Sequence, residues 1–379
     1  MTYHSISAIM VAPSDIAVTR CHSPVMDAYA RRVAPVFCTI VPPHVLDRIA
    51  RGEDPARAEA AARTLEHDAL QRTRRRITTV RALAAPAGEP SEKPNRTIYD
   101  AERKEVLPGK KVHAEGDEPS QDATVNRAHA GLGATFDLFL KEFGRHSIDD
   151  AGLALDATVH YGENYGNAFW DGRQMVFGDG DNDIFLDFTL PVDVIGHELT
   201  HGVTQYTANL EYFGQSGALN ESVSDVFGSL IKQYVLGHTA DQADWLIGEG
   251  LLHPNVQGVA LRSMKAPGTA YDDDVLGKDP QPAKMEDYVR TGRDNGGVHI
   301  NSGIPNHAFY LLATALGGHA WERAGKIWYA TLTSGELAPD AQFTDFAKVT
   351  LAQAQALFGA GDELEAVVKA WSQVGVGTK

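Results

Sequence analysis

The stretch Asp193-Val194-Ile195-Gly196-His197-Glu198-Leu199-Thr200-His201 contains two histidines four residues apart, with a glutamate between them. On a helix, residues four apart lie on the same face, so both imidazoles can bind one metal ion. Glu198 then points at the open position of that metal. The pattern predicts a zinc-dependent hydrolase site in which Glu198 takes a proton from the attacking water.

The segment 217–225, GALNESVSD, supplies further ligands for such a site. Glu221, twenty residues after His201, is the predicted third zinc ligand, and Asp225 follows it at a spacing of four. On a helix, one carboxylate can complete a His-His-Glu set, and the other, one turn further along, can accept the free N–H of a ligand histidine. H-E-x-x-H alone occurs by chance in roughly a few per cent of chains this long. The second segment makes a chance match less frequent, and it therefore disfavours the interpretation of His197 and His201 as two ordinary helix histidines.

Together with NAFWDGRQMVFGDGD at 167–181 and DNGGVHINSGIPNHAFYL at 294–311, these motifs resemble the thermolysin family of zinc endopeptidases. The resemblance runs in collinear order from about Thr97 to the C-terminus. A short front segment and no recognisable signal sequence make the chain most similar to the protealysin-like branch. The resemblance implies an α+β, two-lobe metalloprotease fold, with a strand-rich N-terminal lobe, a helical C-terminal lobe and the zinc site between them, preceded by a short helical propeptide.

The resemblance also implies roles for residues outside the two zinc helices. His299 and Tyr212 match the donors to the oxyanion formed during hydrolysis, and Asp294 matches the residue that orients His299. Asn167 and Arg262 match residues that hold the substrate backbone. Hydrolysis requires such donors, and they must come from outside the zinc helices.

Further matches concern the surroundings of the metal and the substrate pocket. Asn220 matches a partner of His201, and Asp225 a partner of His197. The implied activity is that of a neutral endopeptidase cutting on the N-terminal side of bulky hydrophobic residues. The apolar wall of the pocket after the scissile bond is matched by side chains that, taken alone, would be core residues: Phe185, Phe188, Val194, Ile247, Leu251 and Leu261.

Zinc is the one cofactor that we expect. Thermolysin-like enzymes commonly hold calcium near the zinc lobe, and Asp193, Asp244 and Glu249 match three of the ligand positions. Lys232 and Leu246, however, replace expected acidic ligands. Because Ca²⁺ takes about six to eight oxygen ligands, an ammonium group in the site removes ligands and repels the ion. We therefore predict no calcium there.

The 379 residues include 34 Lys and Arg against 50 Asp and Glu, a net charge of −16, with 43% hydrophobic residues. This composition is typical of a large enzyme of two or three domains, and the acidic balance argues against nucleic acid as a partner. No apolar run reaches the roughly eighteen residues of a membrane span, and Pro13 and Asp15 interrupt the candidate signal segment. We expect a monomer made in the cytoplasm, with non-classical secretion left open.

Composition predicts three regions: an N-terminal extension and propeptide over 1–95, a catalytic lobe with the HELTH helix over 96–206, and a helical lobe over 207–379. Residues 1–95 carry 13 basic and 10 acidic side chains, against 21 and 40 in the remainder. This difference predicts that the front segment docks on the acidic body and inhibits it. We expect processing between about Arg72 and Arg96, where residues 84–96 resemble a linker.

Several points stay open. Translation can start at Met1 or Met26, and Cys21 and Cys38 can be inert thiols or a thiolate that caps the zinc. A zinc aminopeptidase shares H-E-x-x-H but needs an acidic anchor for the free amine, usually in a G-x-M-E-N-like segment that this sequence lacks. A catalytically dead binding protein is disfavoured by the intact Glu198.

Overall fold

The computed structural model describes residues 39–77 and 91–378. The alternative starts at Met1 and Met26, and the two cysteines Cys21 and Cys38, lie outside those ranges. Within them, no helix is both long enough and apolar enough to cross a lipid bilayer.

The N-terminal lobe combines one sheet with a long helix. Its elements are β1 (Arg96–Asp100), β2 (Lys110–Ala114), α3 (Ala123–Phe143), β3 (Leu155–Val159), β4 (Ala168–Trp170) and β5 (Met175–Phe177). The sheet has the order β2-β1-β3-β5-β4, in which β1, β3 and β5 are parallel and the two edge strands are antiparallel. Every residue of β4 and β5 is buried, as expected for strands covered on both faces. The edge strand β4 borders the cleft described below.

Two helices that pack closely follow the sheet and carry the zinc motifs. They are α4 (Val192–Gln205) and α5 (Gly214–Leu236). A Cβ on Gly228 would lie 2.6 Å from the carbonyl oxygen of Asp193, and one on Gly196 would lie 2.5 Å from Ile231 Cδ1. Only glycine lets the two backbones approach this closely. The approach brings the side chains of the two motifs together.

The remainder of the C-terminal lobe is mainly helical. It consists of short strand pairs, β6 (Leu246–Ile247) with β7 (Arg262–Ser263) and β8 (Asp272–Asp273) with β9 (Gly277–Lys278), then α6 (Asp294–Asn301), α7 (Gly303–Leu316), α8 (Lys326–Thr333), α9 (Phe343–Phe358) and α10 (Asp362–Gln373). The helical lobe that the sequence predicts after residue 206 thus consists mainly of helices. The two-lobe α+β arrangement is confirmed.

The front segment forms α1 (Pro43–Ala50) and α2 (Pro55–Ile77). Pro43 at the first helical position starts α1, and its apolar face, Val45, Leu46 and Ile49, is buried in the main apolar cluster of the protein. The short helical propeptide that the family resemblance implies is thus represented by two helices in the described residues. Thr39 and Ile40, which precede them, are buried.

Candidate active site

The HELTH motif lies on α4, and the third predicted ligand lies on α5. His197, His201 and Glu221 are fully buried, and one ligand atom from each lies within 4.8 Å of the others. The two Nε2 atoms are 2.9 Å apart, and the carboxylate oxygens of Glu221 lie 3.5 Å from His197 Nε2 and 3.6 Å from His201 Nε2. His197 and His201, four residues apart on α4, therefore lie on one face of that helix, as predicted.

The outer nitrogen of each imidazole is engaged by an acceptor. His197 Nδ1 donates to Asp225 Oδ1 at 2.8 Å, and His201 Nδ1 donates to Asn220 Oδ1 at 2.8 Å. The Asn220 amide is oriented by its own N–H, which donates to the carbonyl of Leu210. Each neutral ring then carries its proton on Nδ1, so two lone pairs on Nε2 face each other. Such a pair fits a cation, and zinc takes this donor set.

Asp225 is the centre of a buried charge network. Arg262 donates to both of its oxygens at 2.8 Å, and Asn306 Nδ2 donates to Oδ2 at 2.8 Å. Burial opposes ionisation, but the Arg262 guanidinium and His197 hold the pKa of Asp225 well below its usual range. Asp225 therefore stays a carboxylate that fixes the tautomer of His197.

Glu198 is fully buried beside this set. Its Oε2 accepts a hydrogen bond from the backbone N–H of Trp170 at 3.0 Å, and its Oε1 has no partner among the residues that the structure describes. Burial, and then repulsion from Glu221, raise the pKa of Glu198 well above its usual value. A raised pKa suits a carboxylate that must take up a proton near neutral pH.

His299 and Tyr212 meet opposite the HELTH helix. Tyr212 OH lies 3.2 Å from His299 Nε2 and also donates to Glu221. Asp294 Oδ1 lies 2.6 Å from His299 Nδ1, and Oδ2 accepts from the backbone N–H of His299. Burial lowers the pKa of His299, but the negative charges of Asp294 and Glu221 together outweigh burial and raise that pKa above its usual value. Nε2 is thereby kept as a hydrogen-bond donor.

The front segment of the chain passes through this cleft in an extended conformation. Thr39 forms an antiparallel bridge with Phe169 on the edge strand β4. The N–H of Ile40 donates to the carbonyl of Ala168 at 3.2 Å, and Arg262 Nη1 donates to the carbonyl of Ile40 at 3.0 Å. An added strand at a sheet edge is a common way to bind a peptide.

Asn167 binds the next residue of the segment. The N–H of Val41 donates to Asn167 Oδ1 at 2.9 Å, and Asn167 Nδ2 donates to the carbonyl of Val41 at 3.3 Å. On the other side, the carbonyl of Thr39 lies 3.1 Å from His299 Nε2. The side chains predicted to hold a substrate backbone thus contact the backbone of residues 39–41.

The six predicted pocket side chains are buried, and none is more than 3% exposed: Phe185, Phe188, Val194, Ile247, Leu251 and Leu261. They belong to the same apolar cluster as Ile40 and Val41. The rings of Phe185 and Phe188 are 5.8 Å apart. The six side chains are therefore part of the buried apolar interior, as expected for a pocket wall.

Lys232 lies among the acidic side chains that match the calcium ligands of the family. Its Nζ is 2.6 Å from Asp244 Oδ2, 3.0 Å from Glu249 Oε2 and 3.6 Å from Asp193 Oδ2. Asp193 is fully buried, which raises its pKa to about 6 although Lys232 acts in the opposite direction. The ammonium group thus pairs with all three predicted acidic ligands.

Several contacts of α2 were not predicted. Asp68 Oδ1 accepts from Tyr165 OH at 2.6 Å, and Asp68 Oδ2 accepts from Asn167 Nδ2 at 3.0 Å. His67 Nε2 lies 2.9 Å from Tyr161 OH. These residues are about 95 to 100 positions apart in the chain, so no local pattern could pair them. The extended conformation of residues 39–41 could have been predicted from the run Ile40-Val41-Pro42-Pro43, because a residue before proline favours an extended backbone.

Comparison with known proteins agrees with this geometry. Residues 78–205 match the sequence model described as "Thermolysin metallopeptidase, catalytic domain", and residues 208–376 match "Thermolysin metallopeptidase, alpha-helical domain". The protein is therefore a metalloendopeptidase, a hydrolase that cuts within peptide chains. More specifically, the chain belongs to the thermolysin family, and His197, His201 and Glu221 form a site compatible with the zinc that this family uses.

Several relatives are similar over most of this chain and most of their own length. An "Extracellular metalloprotease" of Pectobacterium carotovorum subsp. carotovorum is 52% identical over 90% of this chain and 96% of its own. "Protease PrtS" of Photorhabdus sp. (strain Az29) is 48% identical, with 90% and 92% covered. The solved structure titled "Precursor of Protealysin, Metalloproteinase from Serratia proteamaculans" has a TM-score of 0.83 and 52% identity, covering 90% of this chain and 100% of the other. The recognition of the family is confirmed.

Proposed function

We propose that this protein is a neutral zinc endopeptidase made as a zymogen, whose own front segment occupies the cleft until it is removed. The observation that carries the proposal is the position of Thr39, Ile40 and Val41. Their backbone groups are paired with His299, Arg262 and other cleft residues in the manner of a bound peptide.

The chemistry assigns a role to each group. Zinc, held by His197, His201 and Glu221, would act as a Lewis acid that lowers the pKa of a coordinated water towards about 7. Glu198 takes a proton from the attacking water and transfers it to the leaving amine, for which its unpartnered Oε1 is available.

His299 and Tyr212 donate to the carbonyl oxygen as it gains negative charge. The 3.1 Å contact between His299 Nε2 and the Thr39 carbonyl supports this role, since a peptide carbonyl already lies at that donor. Asp294 keeps His299 oriented. Asn167 and Arg262 hold the backbone after the scissile bond.

The apolar pocket supports a preference for bulky hydrophobic residues after the scissile bond. Ile40 follows the carbonyl that contacts His299, and it is fully buried in the same apolar cluster as the predicted pocket wall. The chain continues on both sides of this point, which favours an endopeptidase over an aminopeptidase that binds a free N-terminus.

Inhibition by the front segment follows from occupancy of the cleft. Apart from the three cleft residues, α1 packs its apolar face on the body, and Arg57 on α2 pairs with Asp183. Apolar burial, backbone pairing and this pair of opposite charges therefore all support docking of the front segment. Relative to the predicted cleavage range of 72–96, residues 72–77 belong to α2, so we place the activating cut in 78–95.

The division into a front segment over 1–95, a catalytic lobe over 96–206 and a helical lobe over 207–379 remains part of the proposal. So do a monomeric state, the absence of calcium, and cytoplasmic synthesis followed by non-classical secretion. The relatives named extracellular support export, without indicating its route.

Hydrolysis of an N-terminally blocked peptide with leucine after the scissile bond tests the endopeptidase activity. Glu198→Gln should retain about one zinc per chain and lose activity by about 10²–10⁴-fold, because the amide cannot accept a proton. Glu105→Gln, an exposed glutamate in a loop, is the matched control and should keep full activity. Loss of activity in both variants, or retention in both, would contradict the role of Glu198.

A further inference from the structure

We infer that the Thr39–Ile40 peptide bond is the first bond that this enzyme cuts in its own chain, and that this cut precedes and differs from the activating one. The inference rests on the proposed function. It follows from the register in which residues 39–41 lie in the cleft.

The carbonyl side of the bond lies at the donors of the cleft. Thr39 O is 3.1 Å from His299 Nε2, and that nitrogen is 3.2 Å from Tyr212 OH and 3.5 Å from Glu221 Oε1. The carbonyl of Thr39 therefore contacts one predicted oxyanion donor, His299, whose Nε2 also contacts Tyr212 and the predicted zinc ligand Glu221. No other backbone carbonyl in the described residues is bonded to His299 Nε2.

The amine side of the bond is held by β4. The N–H of Ile40 donates to Ala168 O, while the N–H of Trp170, two residues along the same strand, donates to Glu198 Oε2. One short strand thus holds both the nitrogen of the leaving amine and the carboxylate that must protonate it. The carbonyl of Ile40 is held by Arg262 Nη1 at 3.0 Å.

The reaction is a hydrolysis that needs only water. Water adds to the carbonyl carbon of Thr39, the bond to the nitrogen of Ile40 breaks, and Glu198 transfers one proton from the water to that nitrogen. The products are a carboxylate on Thr39 and a protonated amine on Ile40, which has received both protons of the water, one of them through Glu198. Residues 1–39 leave, and residue 40 becomes a new N-terminus.

This cut does not by itself free the cleft. Residues from Ile40 onward stay docked through α1 and α2, including the hydrogen bonds of Asp68 to Tyr165 and Asn167. The segment also remains joined to the body through residues 78–95. We therefore expect a form of the protein that begins at Ile40 and is still inhibited, until a second cut in 78–95 releases the segment.

Because the bond already lies in the cleft of its own chain, its hydrolysis is intramolecular. The zinc-loaded full-length protein, incubated at two concentrations about twentyfold apart, should yield the fragment 40–379 before any fragment that begins in 78–95, with the same first-order rate constant within about twofold. The masses of intact fragments give both the site and the rate.

Variants of residue 40 sharpen the test. Ile40→Leu keeps the N–H and an apolar side chain and should be cut at the same bond. Ile40→Pro lacks the N–H that donates to Ala168 and should not be cut there, with a melting temperature close to that of wild type showing that it folds. In Glu198→Gln the chain should stay whole, and slow hydrogen exchange of the Ile40 amide provides a readout that needs no turnover.

Failure of the inference and failure of the proposed function are distinguishable. An intact 39–40 bond in protein that has been cut in 78–95 and hydrolyses the blocked peptide would overturn the inference alone. A rate that rises about twentyfold with concentration would overturn intramolecular cleavage, since a bimolecular step scales with concentration. Zinc-loaded protein that neither cuts itself nor hydrolyses the blocked peptide would overturn both.

Discussion

Replacing Asp68 by alanine tests whether α2 holds the front segment in the cleft. Asp68 is 1% exposed and accepts hydrogen bonds from Tyr165 OH and Asn167 Nδ2. A hydrogen bond to a charged group contributes about 1.5–3 kcal/mol. Losing both should weaken docking by about 3–6 kcal/mol, which lowers the ratio of docked to undocked segment by roughly two to four orders of magnitude.

The assay is the initial rate of blocked-peptide hydrolysis by freshly purified full-length protein, before fragments are detectable by mass. Asp68→Ala should be at least about tenfold more active than wild type, because undocked molecules accumulate. Glu66→Ala, at an exposed position on the same helix, is the matched control and should leave the rate unchanged. If Asp68→Ala hydrolyses the peptide at the same rate as the wild type and Glu66→Ala, a docking role for α2 is refuted.

Three further predictions concern metal and pH. With zinc-saturated protein, a calcium-selective chelator should leave the melting temperature unchanged, because Lys232 pairs with the acidic side chains; a fall of several degrees that calcium reverses would show a calcium site. His160 lies 2.8 Å from both Asp179 and Asp122, and its pKa is raised from 6.5 to about 9 mainly by the bond to Asp179. The contacts of His160 with the two carboxylates should stabilise the fold fully below pH 6.5. About 1–2 kcal/mol of the free energy of unfolding should be lost as the pH rises through 9, and urea unfolding of His160→Gln should lack this pH dependence. Burial lowers the pKa of His44 on α1 to about 4, against the attraction of Asp294 and with the repulsion of His299 and Arg262. Docking of the front segment should therefore be complete above pH 6.5 and weaken as the pH falls towards 4. The ratio of initial activity at pH 5 to that at pH 7 should be larger for the wild-type full-length protein than for full-length His44→Gln. Equal ratios would rule out His44 as the titrating group.

The chemistry of the site was predictable from the sequence because its main elements are local. The spacings of His197 to His201 and of Glu221 to Asp225 correspond to one helical turn. Each pair therefore shares a face whatever the remainder of the chain does. The long helices of both lobes were predictable for the same reason, since a periodic apolar pattern within one segment is sufficient to predict them.

Residues with no local pattern needed either the family resemblance or the tertiary structure. His299 and Arg262 look like ordinary loop and strand residues, and only folding brings them to Glu221 and Asp225. The close contact of α4 with α5 depends on Gly196 and Gly228, whose partners lie on the opposite helix. A sequence pattern carries no information about which distant backbone will approach.

The sequence by itself thus predicted the reaction class, a set of zinc ligands, a proton acceptor and the helices that carry them. Only the tertiary structure decided that Thr39, Ile40 and Val41 occupy the cleft and which bond they present. The pairing of Ile40 with Ala168 joins residues 128 positions apart through backbone groups, which every residue type except proline possesses. Because backbone pairing does not depend on the type of side chain, the sequence does not show which residues pair. The register is defined only in the folded protein, where the front segment lies along the edge strand.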